Sequence, residues 1–393
     1  MTDDLLRSGL SRRRLIQFGL AGGAALWAGS SVLSAGAGSR RRLVVMMLQG
    51  GVDGLSLAPP LRDADYHRLR GPLAIASPLR FTADFGLHPA MPSLARMAAA
   101  GEVRLIPAAG SPTRTRSHFT EWDVLSTGRA GETGLSTGWL NRAVAALAPS
   151  GKVAAVSLDA VATAAVAGAA PFAAWSPGLP PIGAGLSDAL ADLYRGDARL
   201  KGMLASNLAL QRQVEEVDGG PTLPPLAARA RGLGRLLARG DGPVAGFLST
   251  GGFDTHQDQG GEHGALADRL REVDQALAAL RDASAEAWAH TVVLVFTEFG
   301  RTAAVNGASG TDHGVGSAAL LVGGALKRGG IVGDWPTLAP GALHEGRDLA
   351  PTLDLRAVFR GVLAEHLGLS RAVLDAQVFP GSSSLPDVRG LIA

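Results

Sequence analysis

Six short runs of this chain are apolar at nearly every position and then break off into glycine or polar residues. They are Leu43–Leu48, Val103–Pro107, Val153–Leu158, Val244–Ser249, Thr291–Phe296 and Ala318–Val322. A strand with one wet face alternates apolar and polar side chains, so a run without alternation needs cover on both faces. The cover is available as helical patterns at Met91–Ala100, Ser187–Val217 and Gly264–Ala283. In the last of these, Leu266, Leu270, Val273, Leu277 and Leu280 recur at three- and four-residue spacing, one apolar face of a helix. Strands alternating with helices predict an α/β fold, a mostly parallel central sheet with helices on both faces. The stretch Ala160–Gly185, dominated by Ala, Gly and Pro, and the break at Pro221–Pro225 read as surface excursions inside one domain.

The N-terminus belongs to a different kind of segment. Ser11-Arg12-Arg13-Arg14-Leu15-Ile16-Gln17 sets paired arginines before an uncharged Gly- and Ala-rich stretch, Phe18 to Leu33, followed by Ala35-Gly36-Ala37. This is the pattern of a twin-arginine export signal with a small-residue cleavage site. A membrane-spanning helix needs roughly 20 strongly apolar residues, and this stretch is shorter and softened by four glycines. Cleavage near Ala37 is expected, with retention as an N-terminal anchor the other reading. Residues 1–37 thus form the signal and 38–393 a single domain. The expected location is the periplasm or the extracellular space, with the translocase as a partner during export and the membrane met only through the signal.

Removing the four arginines and two aspartates of the signal from the chain's 37 basic and 35 acidic side chains leaves 33 of each. A formally neutral domain offers no support for nucleic-acid binding, which needs a net or clustered basic surface. The chain has no cysteine. Disulfides, thiolate metal sites and cysteine nucleophiles are therefore excluded, and stability must come from the core that about 350 residues can bury.

In an open parallel sheet, ligands bind beyond the carboxyl ends of the strands. The polar clusters of this chain fall there. The first run leads into Gln49-Gly50-Gly51-Val52-Asp53-Gly54, the second into Arg114-Thr115-Arg116-Ser117-His118, and the fourth into Gly252-Phe253-Asp254-Thr255-His256. The fifth leads into Thr297-Glu298-Phe299-Gly300-Arg301, and Gly310-Thr311-Asp312-His313-Gly314 follows shortly after. One rim is thus expected to gather Asp53, Ser117, His118, Asp254, His256, Glu298, Asp312 and His313. Carboxylate and imidazole are the donors that zinc, manganese and similar ions take when thiolates are absent. One such Asp-x-His is common in ordinary loops; the joint placement after buried runs is what points to metal. The Gly50–Gly54 loop lacks the Lys-Ser/Thr of a P-loop, so it is not read as a nucleotide site. His67, His88, His263, His290, His344 and His366 have no partners at ligand spacing and are read as structural or solvated, with His88 the nearest to the rim.

The strings LQGGVDGL, TRSHF, GWLNR (Gly138–Arg142), GGFDTH, TEFGR, GTDHG and GDWP (Gly333–Pro336) occur in that order from about Arg42 to Val378-Phe379-Pro380-Gly381. In this the chain resembles the bacterial family known as domain of unknown function 1501, whose members are commonly exported with twin-arginine signals. That family is similar in turn to the alkaline phosphatase and sulfatase superfamily. The resemblance implies that Asp53 is a first-strand metal ligand, Ser117 the nucleophile, Asp254 and His256 a ligand pair, and His313 a late ligand. Glu298 stands where the superfamily has the aspartate of an Asp-His pair, and Asp312 is taken with the metal set. Phe299 replaces the usual second-metal histidine, the Asp254/His256 spacing is short, and no cysteine is present to become formylglycine. His118 competes with Ser117 for the functional position.

The expected function is a hydrolase of phosphate or sulfate esters using one or two divalent ions, zinc or manganese. Its substrate would be a small anionic ester or one derived from a polymer. Arg116 and Arg301 are expected to take substrate oxygens, since a guanidinium fork matches two at once, or else to pair with the rim carboxylates. The rival reading is a non-catalytic envelope protein that binds or assembles through the same rim. A mutase or transferase is less suited to an exported protein.

Overall fold

The first apolar run lies at the centre of the molecule. It forms β1 (Arg42–Leu48), buried at every residue and flanked by a parallel strand on each side. The structure, a computed structural model, describes residues 41–130, 137–147, 155–159, 164–170, 172–174, 184–196, 225–240, 242–386 and 388–392. The expected export signal lies outside these residues, as does most of the expected helix Ser187–Val217, of which Ala184–Leu193 is described. No described helix is long and apolar enough to cross a membrane.

The other strands of the main sheet are β2 (Val103–Gly110), β3 (Ala155–Ser157), β4 (Phe172–Ala174), β5 (Ala245–Thr250), β6 (Thr291–Thr297), β7 (Gly316–Val322), β8 (Gly330–Ile331) and β9 (Leu353–Asp354). Their order is β8-β2-β7-β6-β1-β5-β3-β4, with β9 also paired to β2. Every pair is parallel except the two that β7 makes, with β2 and with β6. The fold is therefore the expected mostly parallel sheet wrapped by helices, with one reversed strand inside it. The stretch read as a surface excursion contains β4, which extends the sheet at its edge. Alanine and glycine give a short edge strand no apolar signature, and that is why its sequence reads as loop.

Side chains alternate across β1 and divide the core in two. Val44, Met46 and Leu48 face one layer, and Leu43, Val45 and Met47 the other. The first layer is covered by α2 (Pro92–Ala99), α5 (Leu226–Ala238) and α6 (Ala265–Ser284). All five periodic residues of α6 are fully buried, each contributing about 1.5–3 kcal/mol relative to exposure. The second layer carries α4 (Trp139–Leu147) and α7 (Leu355–Leu367). There Trp139 stacks on Phe359 at 4.9 Å and Phe379 at 5.7 Å, and its indole N–H donates to the Leu125 carbonyl at 2.9 Å. Arg142 donates to the Val378 carbonyl. The GWLNR and VFPG strings are thus packing devices that close this layer.

Near its end α7 places His366 against β1, Nε2 donating to the Arg42 carbonyl at 2.8 Å. Burial pushes this imidazole from 6.5 down to about 4, against the pull of that acceptor. The unfolded chain takes its proton at the ordinary value, so between about pH 6.5 and 4 it binds more protons than the folded one. Stability is then lost on acidification across that window, at up to about 1.4 kcal/mol per pH unit from this group. Urea unfolding of the metal-free protein should show His366→Gln with a correspondingly shallower pH slope there; an unchanged slope would refute the assignment.

Candidate metal centre

The reversed strand decides what meets at the rim. Parallel strands β1, β5 and β6 present their C-terminal ends on one side, and β7, running the other way, presents its N-terminal end there. His313 precedes β7, held by a two-residue antiparallel pairing with Gly300–Arg301 that sets His313 across from Arg301. Asp254 and His256 follow β5, Glu298 is the first residue after β6, and His118 opens α3 (His118–Thr127) beyond β2. Phe253, fully buried, anchors the Asp254 loop. Gly50, at φ +118°, lets the end of β1 lie against it, where a Cβ would come within 2.5 Å of the Asp254 nitrogen.

Three imidazoles point Nε2 at one carboxylate. His313 Nε2 and His256 Nε2 each lie 3.0 Å from Asp254 Oδ1, and His118 Nε2 lies 3.5 Å from Oδ2. His118, Asp254 and His313 each offer a donor atom within 4.8 Å of the others. His256 reaches two of the three, its Nε2 being 3.0 Å from that of His313. Two ligands about 2.1 Å from one ion and roughly tetrahedral to each other stand about 3.4 Å apart, so these separations suit a shared cation.

The far side of each ring decides where its proton sits. His313 Nδ1 lies 3.0 Å from the Arg116 carbonyl, which can only accept, so Nδ1 carries hydrogen and donates. His118 Nδ1 lies 2.7 Å from Glu298 Oε1, and His256 Nδ1 3.2 Å from Asp312 Oδ1. An imidazole anchored through N–H at Nδ1 to a carbonyl or carboxylate turns a lone pair outward at Nε2, the arrangement of metal-binding histidines. An Nε2 lone pair and a carboxylate oxygen 3.0 Å apart repel unless a proton or a metal ion lies between them. The donor set thus fits a divalent cation.

Charge within the centre is arranged to keep Asp254 ionised. Burial alone would raise its carboxyl, but the His313 hydrogen bond and the Arg301 and His256 charges outweigh it, and the carboxyl is lowered. The Glu298 hydrogen bond raises His118, with burial opposing and Asp254 assisting. Asp312 is lowered, chiefly by the hydrogen bond from Asn306.

Several expected site residues stand elsewhere. Asp53 does not join the centre: it caps α1 (Gly54–Leu57) by accepting from Leu55 N–H, and its other oxygen is taken by Arg70, Ser56 Oγ at 2.8 Å and Gln259 Nε2 at 2.6 Å. Arg70 is fully buried and supplies the positive charge that balances this carboxylate. Glu298 is also fully buried and stands behind His118, accepting in addition from Gly50 N–H at 2.7 Å and Thr297 Oγ1 at 2.9 Å. Phe299 packs its ring 4.7 Å from His118 and 4.6 Å from His313. Arg301 pairs with Asp254 at 2.9 Å with its side chain fully buried, and Arg116 pairs with Asp348 at 2.7 Å and Glu345 at 2.5 Å. Both arginines take the carboxylate-pairing role rather than facing outward to a substrate. Ser117 occupies the N-cap position of α3 without making a capping side-chain bond. His88 is buried, accepting from Ala90 N–H and donating to the Gly261 carbonyl, the structural role its sequence context implies. Burial lowers its basicity.

Sequence reading missed several supporting residues, among them Arg70, Gln259, Asn306 and Arg347. Asn306 donates to both the His256 carbonyl and Asp312, and Arg347 donates to the His313 carbonyl at 2.6 Å. The Asn306-Gly307 turn dipeptide is the one local signal among them.

Among solved structures the chain is similar to enzymes of the alkaline phosphatase superfamily. The PsFucS1 sulfatase from Pseudoalteromonas sp. matches at 11% identity and TM-score 0.36, over 90% of this chain and 70% of that one. The phosphonate monoester hydrolase of Agrobacterium radiobacter matches at 14% and 0.35, over 84% and 74%. A TAB5 alkaline phosphatase mutant matches at 12% and 0.36, over 74% and 94%. No curated protein matches the sequence.

Titration of the metal-free protein with Zn²⁺ or Co²⁺ should saturate at one ion per chain, and Asp254→Ala or His313→Ala should abolish tight binding. Asp53→Asn should keep that stoichiometry but destabilise the fold by about 3–5 kcal/mol, because it strands a buried guanidinium. Two tightly held ions, or loss of the ion on Asp53→Asn, would contradict this assignment.

The family described as "Protein of unknown function (DUF1501)" matches residues 86–378, a span that contains His118, Asp254, His256 and His313, and the chain belongs to that family.

Proposed function

We propose that this protein is a metal-dependent hydrolase of phosphate or sulfate esters, exported by the twin-arginine route and acting outside the cytoplasm after loss of residues 1–37. The observation that carries the reading is the meeting of His118 and His313 Nε2 at Asp254, with both Nδ1 atoms held from behind. These three residues would hold a divalent ion, zinc or manganese for oxygen and nitrogen donors, which would supply polarisation of an ester oxygen and a lowered pKa for an attacking hydroxyl.

The chain's own groups complete the scheme. Ser117 directly precedes His118, its hydroxyl is not spent on capping α3, and it is the proposed nucleophile. His256, half-exposed and backed by Asp312, is placed to take a proton at Nε2 and return it to the leaving group. Arg301 and Arg347 hold Asp254 and His313 in place. Phe119, 83% exposed beside His118 and edge-on to Trp122, offers an apolar surface to the leaving group. The substrate class is a small anionic ester, free or released from a polymer.

Metal-stripped protein should hydrolyse aryl phosphate or sulfate esters only after zinc or manganese is restored. Ser117→Ala should cut turnover by about 100-fold or more with metal content unchanged. A metal-loaded protein inert toward every ester would sink the hydrolase and leave a binding role in the envelope. Replacing Arg12 and Arg13 by Lys should keep unprocessed chain in the cytoplasm, and export of that variant would remove the proposed location.

A further inference from the structure

The loop from β2 to α3 contains two residues that L side chains rarely allow. Arg114 has φ +53° and Arg116 φ +58°, with one residue between them. Each costs about 1–2 kcal/mol, and such conformations persist only where the surroundings over-determine them. Here the loop is pinned from both sides.

The inner pin is Glu121, in the first turn of α3. It is fully buried. Oε1 accepts from Thr115 N–H at 2.6 Å and Thr115 Oγ1 at 2.8 Å, and Oε2 from Thr113 Oγ1 at 2.5 Å. A carboxylate taken out of water at such cost is spent entirely on holding three loop donors. The outer pin is the Arg116 guanidinium, with Nε donating to Asp348 Oδ2 at 2.8 Å and Nη2 to Glu345.

What the two pins fix is the direction of the Arg116 carbonyl, the acceptor that holds hydrogen on His313 Nδ1. An ordinary negative φ at Arg116 would rotate that peptide and remove the acceptor. Glu121 also lies one helical turn from His118, so a single turn of α3 sets one histidine directly and the other through the loop.

We propose that Glu121 is a positioning residue for the metal centre, acting through the left-handed backbone of Arg116 on the proton position of His313. This rests on the reading of His118, Asp254 and His313 as a metal site. Arg116 serves through its main chain, and its side chain is the anchor.

The test is Co²⁺ binding, followed by visible absorption, beside thermal unfolding of the metal-free protein. Arg116→Gly and Arg116→Pro both delete the guanidinium, but glycine permits the positive φ and proline, fixed near −65°, forbids it. Arg116→Pro should weaken Co²⁺ binding at least about 10-fold relative to Arg116→Gly, the usual effect of losing a partner behind a metal-bound histidine. Glu121→Ala should weaken it similarly, and Glu121→Gln, which keeps an acceptor for Thr115 N–H, should recover most of the loss. Equal affinities for the glycine and proline variants would overturn the proposal even if Glu121→Ala fails to fold. Wild-type protein that takes no Co²⁺ would instead overturn the metal reading, and this inference with it.

Discussion

The rim depends on how a single carboxylate is surrounded. Asp254 receives Arg301 from below and faces three imidazole nitrogens, two of them 3.0 Å from the same oxygen. Carboxylate and imidazole lone pairs at that distance cannot rest together unaided. A proton or a cation between them relieves that repulsion, and the hydrogen bonds behind His118 and His313 direct the Nδ1 protons away from that place. The neighbouring residues follow from this demand. Buried Glu298 holds His118, Asn306 steadies Asp312 and the His256 loop, and the exposed Arg347 ties down the His313 backbone.

A second charge problem lies beside the first and has a different solution. Asp53 and Arg70 neutralise each other away from water, with Gln259 and Ser56 completing the shell of the carboxylate. Gln259 Oε1 accepts in turn from Thr255 and Thr311, which tie the Asp254 loop to the segment just before His313. The Arg70 guanidinium thus balances the Asp53 carboxylate as part of the scaffold. With Phe299 packed against both His118 and His313, the cluster has oxygen and nitrogen donors on one side and a ring on the other.

Much of this was legible in the sequence, because burial and position leave marks. The apolar runs gave the sheet, and the polar strings that end them located His118, Asp254, His256 and Glu298. What did not show was direction and pairing. Nothing in Ala318–Val322 tells that this run is antiparallel, although that reversal is what brings His313 to the rim. Nothing in the short helix Tyr66–Arg70 marks its last residue as the partner of Asp53, since a lone arginine in a polar stretch ordinarily points to water. The same holds for Glu121: a glutamate in a first helical turn is usually solvated, and its burial depends on a loop whose backbone angles leave no compositional trace. In the structure Asp53 caps the helix that follows it and accepts from Ser56 Oγ, a local role that its sequence reading did not anticipate.

The central place of β1 has a consequence for how the molecule comes to exist. Leu43 pairs with Ala245 on one side and Val292 on the other, partners about 200 and about 250 residues further along the chain. During synthesis this central strand precedes every other strand of the main sheet, with both edges and both faces unsatisfied until they follow. Closing loops of that length is slow, and an early strand left open in this way is prone to stick to other chains. The sheet cannot close before residue 297 is available, nor its reversed strand before residue 322. The long wait of β1 is thus a kinetic burden of this topology, set by connectivity and independent of how stable the finished fold is.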